Sequence, residues 1–155
     1  MISEGAYGPD HPQVASVLLD LGWNALEAGE PGEALAHFDR SLAIADAALG
    51  PDHDRAWTAL GMRGTALAEL GRYPEAVAAI EESMRRMGNS LAEDHPARLG
   101  SLQNLAGALH AAGDHAKAAS TLQEVVRLRR QADHGSDLGA GLAALSRELV
   151  ALGRY

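Results

Sequence analysis

The sequence contains no cysteine. That excludes a disulfide framework and thiolate chemistry, and it suits a reducing compartment, so a cytoplasmic setting is expected. Aromatic residues make up only 4% of the chain, with a single phenylalanine, although 46% of the residues are hydrophobic. The apolar content is therefore mostly alanine, leucine and valine. Small and aliphatic side chains suit closely packed helices, whereas a strand-rich fold draws on β-branched and aromatic residues. No apolar run approaches the roughly 18 residues that a membrane-spanning helix needs. Basic residues are scarce too: 13 Lys and Arg stand against 21 Asp and Glu, for a formal net charge of −8. An acidic surface repels phosphate, so neither nucleic acid nor an anionic membrane is expected as a partner. Met1-Ile2-Ser3-Glu4-Gly5 has neither a basic nor an apolar region, so no signal peptide is expected.

Catalytic signatures are missing as well. There is no Gly-x-Ser-x-Gly elbow, no phosphate-binding Gly-rich loop and no His-Glu-x-x-His pair. The carboxylates are scattered over helix surfaces rather than paired. No catalytic residue and no cofactor is expected, and the chain reads as a non-enzyme.

What the chain does have is repetition. Gly8-Pro9-Asp10-His11 recurs as Gly50-Pro51-Asp52-His53 and again as Glu93-Asp94-His95-Pro96, so that His11, His53 and His95 stand 42 residues apart. A second mark runs in phase: Gly29-Glu30-Pro31, Gly71-Arg72-Tyr73, Gly113-Asp114-His115 and, after 40 residues, Gly153-Arg154-Tyr155. A fixed period of this size implies a stacked array of helical units. The three histidines are each one repeat apart, roughly 10 Å or more given helix packing distances, so they mark a repeated cap and turn and not a metal site.

Within each period the apolar residues fall at helical spacings. Asp10-His11-Pro12 opens a first helix, with Asp10 expected to accept from the free backbone N–H groups and Pro12 tolerated in the first turn. Its face is Val14, Val17, Leu18, Leu21, Ala25 and Leu26, and Gly29 stops it. Further helices are expected at about 32–49, 54–70, 74–89, 96–112 and 116–132. After a loop at 132–136, Asp137 is positioned to cap a last helix to about residue 152. Residues 2–7 read as the end of a helix whose beginning is missing, which points to a longer chain upstream.

This pattern resembles the tetratricopeptide repeat. The residues that carry the likeness are Leu18, Leu21, Gly22, Gly29, Ala34 and Phe38 in the first unit and Leu60, Gly64, Leu67, Gly71, Tyr73, Ala76 and Ile80 in the second. The third supplies Leu102, Leu105, Ala106, Leu109, Gly113, Ala118 and Leu122. A half unit supplies Leu142, Leu145, Ser146, Leu149, Gly153 and Tyr155. The 42-residue period with Gly-Pro-Asp-His-Pro between units looks like the kinesin-light-chain subclass, and the alanine-, glycine- and arginine-rich usage looks bacterial. The resemblance implies an all-α, right-handed solenoid of antiparallel helix pairs with about seven helices. One domain would span 1–155, with repeats at about 9–49, 51–92 and 94–132 and a partial repeat at 137–155. There are departures: Arg63 replaces a leucine, Pro31 and His115 stand where Tyr73 stands, and Asp20 and Met62 occupy places where the subclass has asparagine, which only Asn104 keeps.

The resemblance also implies a protein-interaction scaffold that holds a peptide or helix on its concave face, lined by the first helix of each pair. The candidate binding residues are Leu19, Asp20, Trp23, Glu27, Met62, Thr65, Gln103, Asn104 and His110. Trp23 is the candidate anchor, since aromatics dominate binding energies, with Met62 as an adaptable apolar neighbour. Asp20 and Glu27 favour a basic peptide. Arg63 is expected to reach outward between helices, or else to pair with Asp20 or Glu27. The competing reading is structural. The last helix exposes Leu138, Leu142, Val150 and Leu152 among few charges and would self-associate, as an oligomerisation segment. A regulatory portion of a larger signalling protein is a further alternative.

Overall fold

The computed structural model describes residues 8–88, 90–131 and 138–151, the side chains of 138–141 excepted. Among them are seven helices and no strand: α1 (Pro12–Glu27), α2 (Pro31–Ala48), α3 (Asp54–Glu69), α4 (Tyr73–Met87), α5 (Pro96–Ala111), α6 (His115–Gln131) and α7 (Leu138–Ala151). The fold is the all-α solenoid type that the periodicity implies. The helix end expected at 2–7, the loop at 132–136, the Asp137 cap, the helix limit at residue 89, and residues 152–155 lie outside the described residues.

The chain divides into two compact units, Met1–Gly88 and Asn89–Tyr155. In the first, α1 packs on α2, α2 on α3, and α3 on α4, with α1 also reaching α3. In the second, α5 packs on α6 and α6 on α7.

Two turn types alternate, each with a local cause. After α1, α3 and α5 the chain turns at Gly29, Gly71 and Gly113, all with φ between +74° and +84°. The amide of the following residue then bonds back into the helix: Glu30 to the Ala25 carbonyl, Arg72 to Leu67 and Asp114 to Leu109, each at 2.9 Å. This is the left-handed helix stop that glycine permits. Before α1, α3 and α5 the histidines do the capping. Nδ1 of His11, His53 and His95 accepts from the amides of Gln13, Arg55 and Ala97 at 3.1–3.2 Å. The cap expected of Asp10 thus belongs to the next residue. Asp10 and its counterparts sit in the preceding turn, whose histidine amide bonds back to the carbonyl of Gly8, Gly50 or Ala92. An aspartate does cap α6, where Asp114 accepts from the Lys117 amide at 3.1 Å.

Between paired helices the close approach is set by small residues. A methyl group placed on Gly22 would run into the ring of the fully buried Phe38 on α2, and one on Gly64 would lie 2.5 Å from Ile80 Cγ1 on α4. In the second unit Ala106 and Leu122, both buried, occupy the same two places. Three residues further along the facing helix, Ser41 donates to the Ala15 carbonyl at 2.8 Å and Ser83 to the Trp57 carbonyl at 2.6 Å. Val125, buried, stands at the third such position.

Leu21, expected on the buried stripe, is 42% exposed. That exposure explains Arg63, which stands one period later: the position is at the surface. Arg63 Nε donates to Asp39 Oδ1 at 2.6 Å, so its partner is an acid on α2 and not Asp20 or Glu27.

Candidate functional site

In the first unit, helical spacing brings Leu19, Trp23 and Glu27 of α1 along one line, four residues apart, with Asp20 beside them. Trp23 is 50% exposed, and its indole N–H donates to Glu27 Oε1 at 2.9 Å. This bond fixes the ring on the surface and offers its apolar face to solvent. Leu19 and Met62 are half-buried and pack against the cluster of Ala25, Ala34, Phe38 and Ala66. Neither therefore projects on its own. Thr65 is half-buried on α3, where its hydroxyl donates to the Gly61 carbonyl at 3.4 Å.

In the second unit, Gln103 and His110 of α5 line a cavity of about 260 Å³ with Gly107, Leu122, Arg147 and Glu148. Asn104 is exposed on α5 and is not among the lining residues. The polar centre of this cavity is Glu148 of α7, whose side chain is only 7% exposed. His110 Nδ1 lies 2.6 Å from Oε1 and His115 Nδ1 3.1 Å from Oε2, with the two rings edge to face at 4.9 Å. Burial works to raise the pKa of Glu148. The hydrogen bonds from His110 and His115 outweigh it and hold the carboxyl below the usual carboxylate range.

Of these three residues the sequence pointed only to His110, and for another reason. The signal that was there is Glu148 itself. In the register that aligns Gly153 with Gly113, it stands where Ala66 and Ala108 are buried, although the first repeat has the exposed Asn24 there. A carboxylate at a core position needs partners, and His115, at the place of Tyr73, is one of them.

The sequence profile of the tetratricopeptide repeat matches at residues 2–47, 25–87 and 54–131, which together span most of the chain. The chain belongs to the tetratricopeptide repeat family. Solved structures agree with that membership. The TPR-like repeats of a Podospora anserina kinesin light chain superpose with a TM-score of 0.83 at 25% identity, over 93% of this chain and 69% of that one. BtubC from P. vanneervenii superposes at 0.85 and 15% identity, over 93% and 59%. The TPR2B domain of yeast Sti1, in a structure with an Hsp70 peptide, gives 0.69 and 18%, over 88% and 96%. No curated protein sequence matches. Tetratricopeptide repeats are protein-interaction scaffolds, and no helix among the described residues is long and apolar enough to cross a membrane.

Proposed function

We propose that this chain is a non-catalytic scaffold of the kinesin-light-chain-like, 42-residue subclass, and that it binds a peptide or helix along the first helix of each pair. The observation that carries the reading is Trp23, held half-exposed by Glu27 beside the half-buried Leu19. A large ring fixed at the surface loses little side-chain entropy when a ligand covers it, which is why such residues anchor interfaces. In the first unit Leu19 and Met62 would supply the apolar floor, Thr65 would leave room for a bound backbone or helix, and Asp20 and Glu27 would orient a basic residue. Gln103, Asn104 and His110 would act in the second unit. The Sti1 domain in complex with an Hsp70 peptide supports the binding mode by fold alone. The cytoplasm of a bacterium is the setting proposed.

The test uses the whole chain with Trp57→Phe, which leaves Trp23 as the only tryptophan. A peptide library is screened and hits are followed by Trp23 emission. Binding should shift the emission to the blue, and Trp23→Ala, read by calorimetry because no tryptophan then remains, should weaken binding by about 2 kcal/mol or more, roughly 30-fold. Hits that survive both Trp23→Ala and Asn104→Ala would refute the site assignment.

A second reading is favoured by the exposure of Leu142 (37%) and Val150 (63%) on α7. In it, α7 covers its apolar side with a second copy of the chain.

A further inference from the structure

The strongest unassigned feature is the cluster of His110, His115 and Glu148. The three residues come from α5, the start of α6, and α7, so the packing of three helices within the second unit brings them together. One ligand-type atom from each lies within 4.8 Å of the other two. We propose that this cluster is a binding site for a divalent transition-metal ion, with zinc as the best fit, held by two imidazoles and one carboxylate.

The donor set suits that ion. Zinc takes histidine nitrogen at about 2.0–2.1 Å and carboxylate oxygen at about 2.0–2.2 Å, so tetrahedral ligand atoms stand about 3.3 Å apart. The present separations of 2.6 and 3.1 Å are both shorter than that value. Side-chain rotations that open the first contact and close the wider separation between the two rings make room for one ion without moving a helix. Two histidines and one carboxylate leave a fourth position open, and here it faces a cavity of about 260 Å³. Imidazole and carboxylate together favour zinc over calcium or magnesium, which want all-oxygen shells.

The charges around the site also permit a cation. Glu148 is one of only two charged side chains among the described residues that are buried, and it brings its negative charge to the centre of the site. Arg147 lines the same cavity and opposes a cation, but it is exposed and free to turn towards water. Without metal, the two rings donate their Nδ1 protons to Glu148. With metal, each ring coordinates through Nδ1 and carries its proton on Nε2, so no redox partner or other reactant is needed. A buried carboxylate placed where the second and third repeats have the buried alanines Ala66 and Ala108 has a use in this arrangement that packing alone does not supply.

The experiment is titration of the full chain with zinc chloride, in competition with a chromophoric chelator. Cobalt(II) is titrated separately for its visible absorption. The expected result is one equivalent of zinc bound, and a cobalt spectrum typical of four or five ligands. His110→Asn, His115→Ala and Glu148→Gln should each weaken zinc by more than the roughly 10- to 100-fold that loss of an outer-sphere group costs. His37→Gln, outside the cluster, should leave it unchanged. Absence of stoichiometric binding by the full chain would overturn the proposal, as would binding that all three cluster variants retain. Because His110 is exposed, His110→Asn reads the site even where Glu148→Gln perturbs the fold. Circular dichroism of each variant separates the two effects. Failure of peptide binding at Trp23 would not bear on this result.

Discussion

Two residues separate effects that are usually confounded. Gly22 and Gly100 are both helical, and alanine gains about 1 kcal/mol over glycine in a helix interior. At Gly100 nothing lies within 4 Å of an added methyl, whereas at Gly22 the methyl meets the Phe38 ring. Overpacking a filled core costs about 1–3 kcal/mol. Urea unfolding should therefore find Gly100→Ala more stable by up to about 1 kcal/mol and Gly22→Ala less stable by up to about 2 kcal/mol. Glu82 offers a second reading at this scale. Hydrogen bonds from Arg85 and Arg86 lower its pKa to about 2, and Arg86 also donates to Asp46 of α2 at 2.7 Å. A carboxyl depressed in the folded state stabilises fully above its unfolded value near 4.5 and loses that contribution as pH falls towards 2. Side-chain carbon NMR should show Glu82 titrating near 2, and the midpoint should rise in the Arg85→Ala, Arg86→Ala double variant. An unchanged midpoint would mean the two arginines do not set it.

At the scale of elements, much of the fold was legible in the sequence. The six helices between His11 and Gln131 begin and end within about two residues of where glycine, proline and apolar spacing put them. Those signals are local, and a local signal survives without tertiary knowledge. The sequence does not single out the capping residue, because Asp10 and His11 both offer acceptors. Only the backbone conformation, extended at the histidine with ψ near 142°, decides between them. The site was less legible than the fold. Trp23 was visible as an odd aromatic on a small-residue face. The cluster around Glu148 was not, because it joins residues 33 positions apart on separate helices. The roles of Ser41 and Ser83 are hidden for the same reason: their carbonyl partners lie 26 residues back. His53 gives the test at this scale. Its Nδ1 lies 3.2 Å from the Arg55 amide and 2.7 Å from Asp54 Oδ1, and it accepts from the amide only when unprotonated. The recurrence at His11 and His95 favours the cap. His53→Ala should cost about 1 kcal/mol, and His53→Asn, which keeps an acceptor, should recover most of it in the same urea assay.

For the whole molecule, net charge and exposed apolar surface act in opposite directions. Two copies each carrying −8 repel, while Leu142 and Val150 favour burial. If α7 is covered by a second copy, light-scattering mass should rise with concentration and rise further with added salt, which screens the repulsion. Val150→Glu should return the mass to that of the monomer. A wild-type mass that stays monomeric at high concentration and high salt would leave α7 without that role. The same experiment separates the structural reading from the peptide-binding one, because Trp23 emission need not change when α7 is covered.

The joints between paired helices carry a consequence for how this array can change. Gly22 with Phe38, Gly64 with Ile80 and Ala106 with Leu122 are three solutions to one volume, the small partner growing by a methyl only where the large one is leucine. Such positions are energetically coupled. Gly22→Ala with Phe38→Leu copies the joint of the second unit into the first, and the pair should be tolerated better than its members predict singly. In a lineage of this repeat the two columns should drift together, each mutation at one opening or closing the choices at the other.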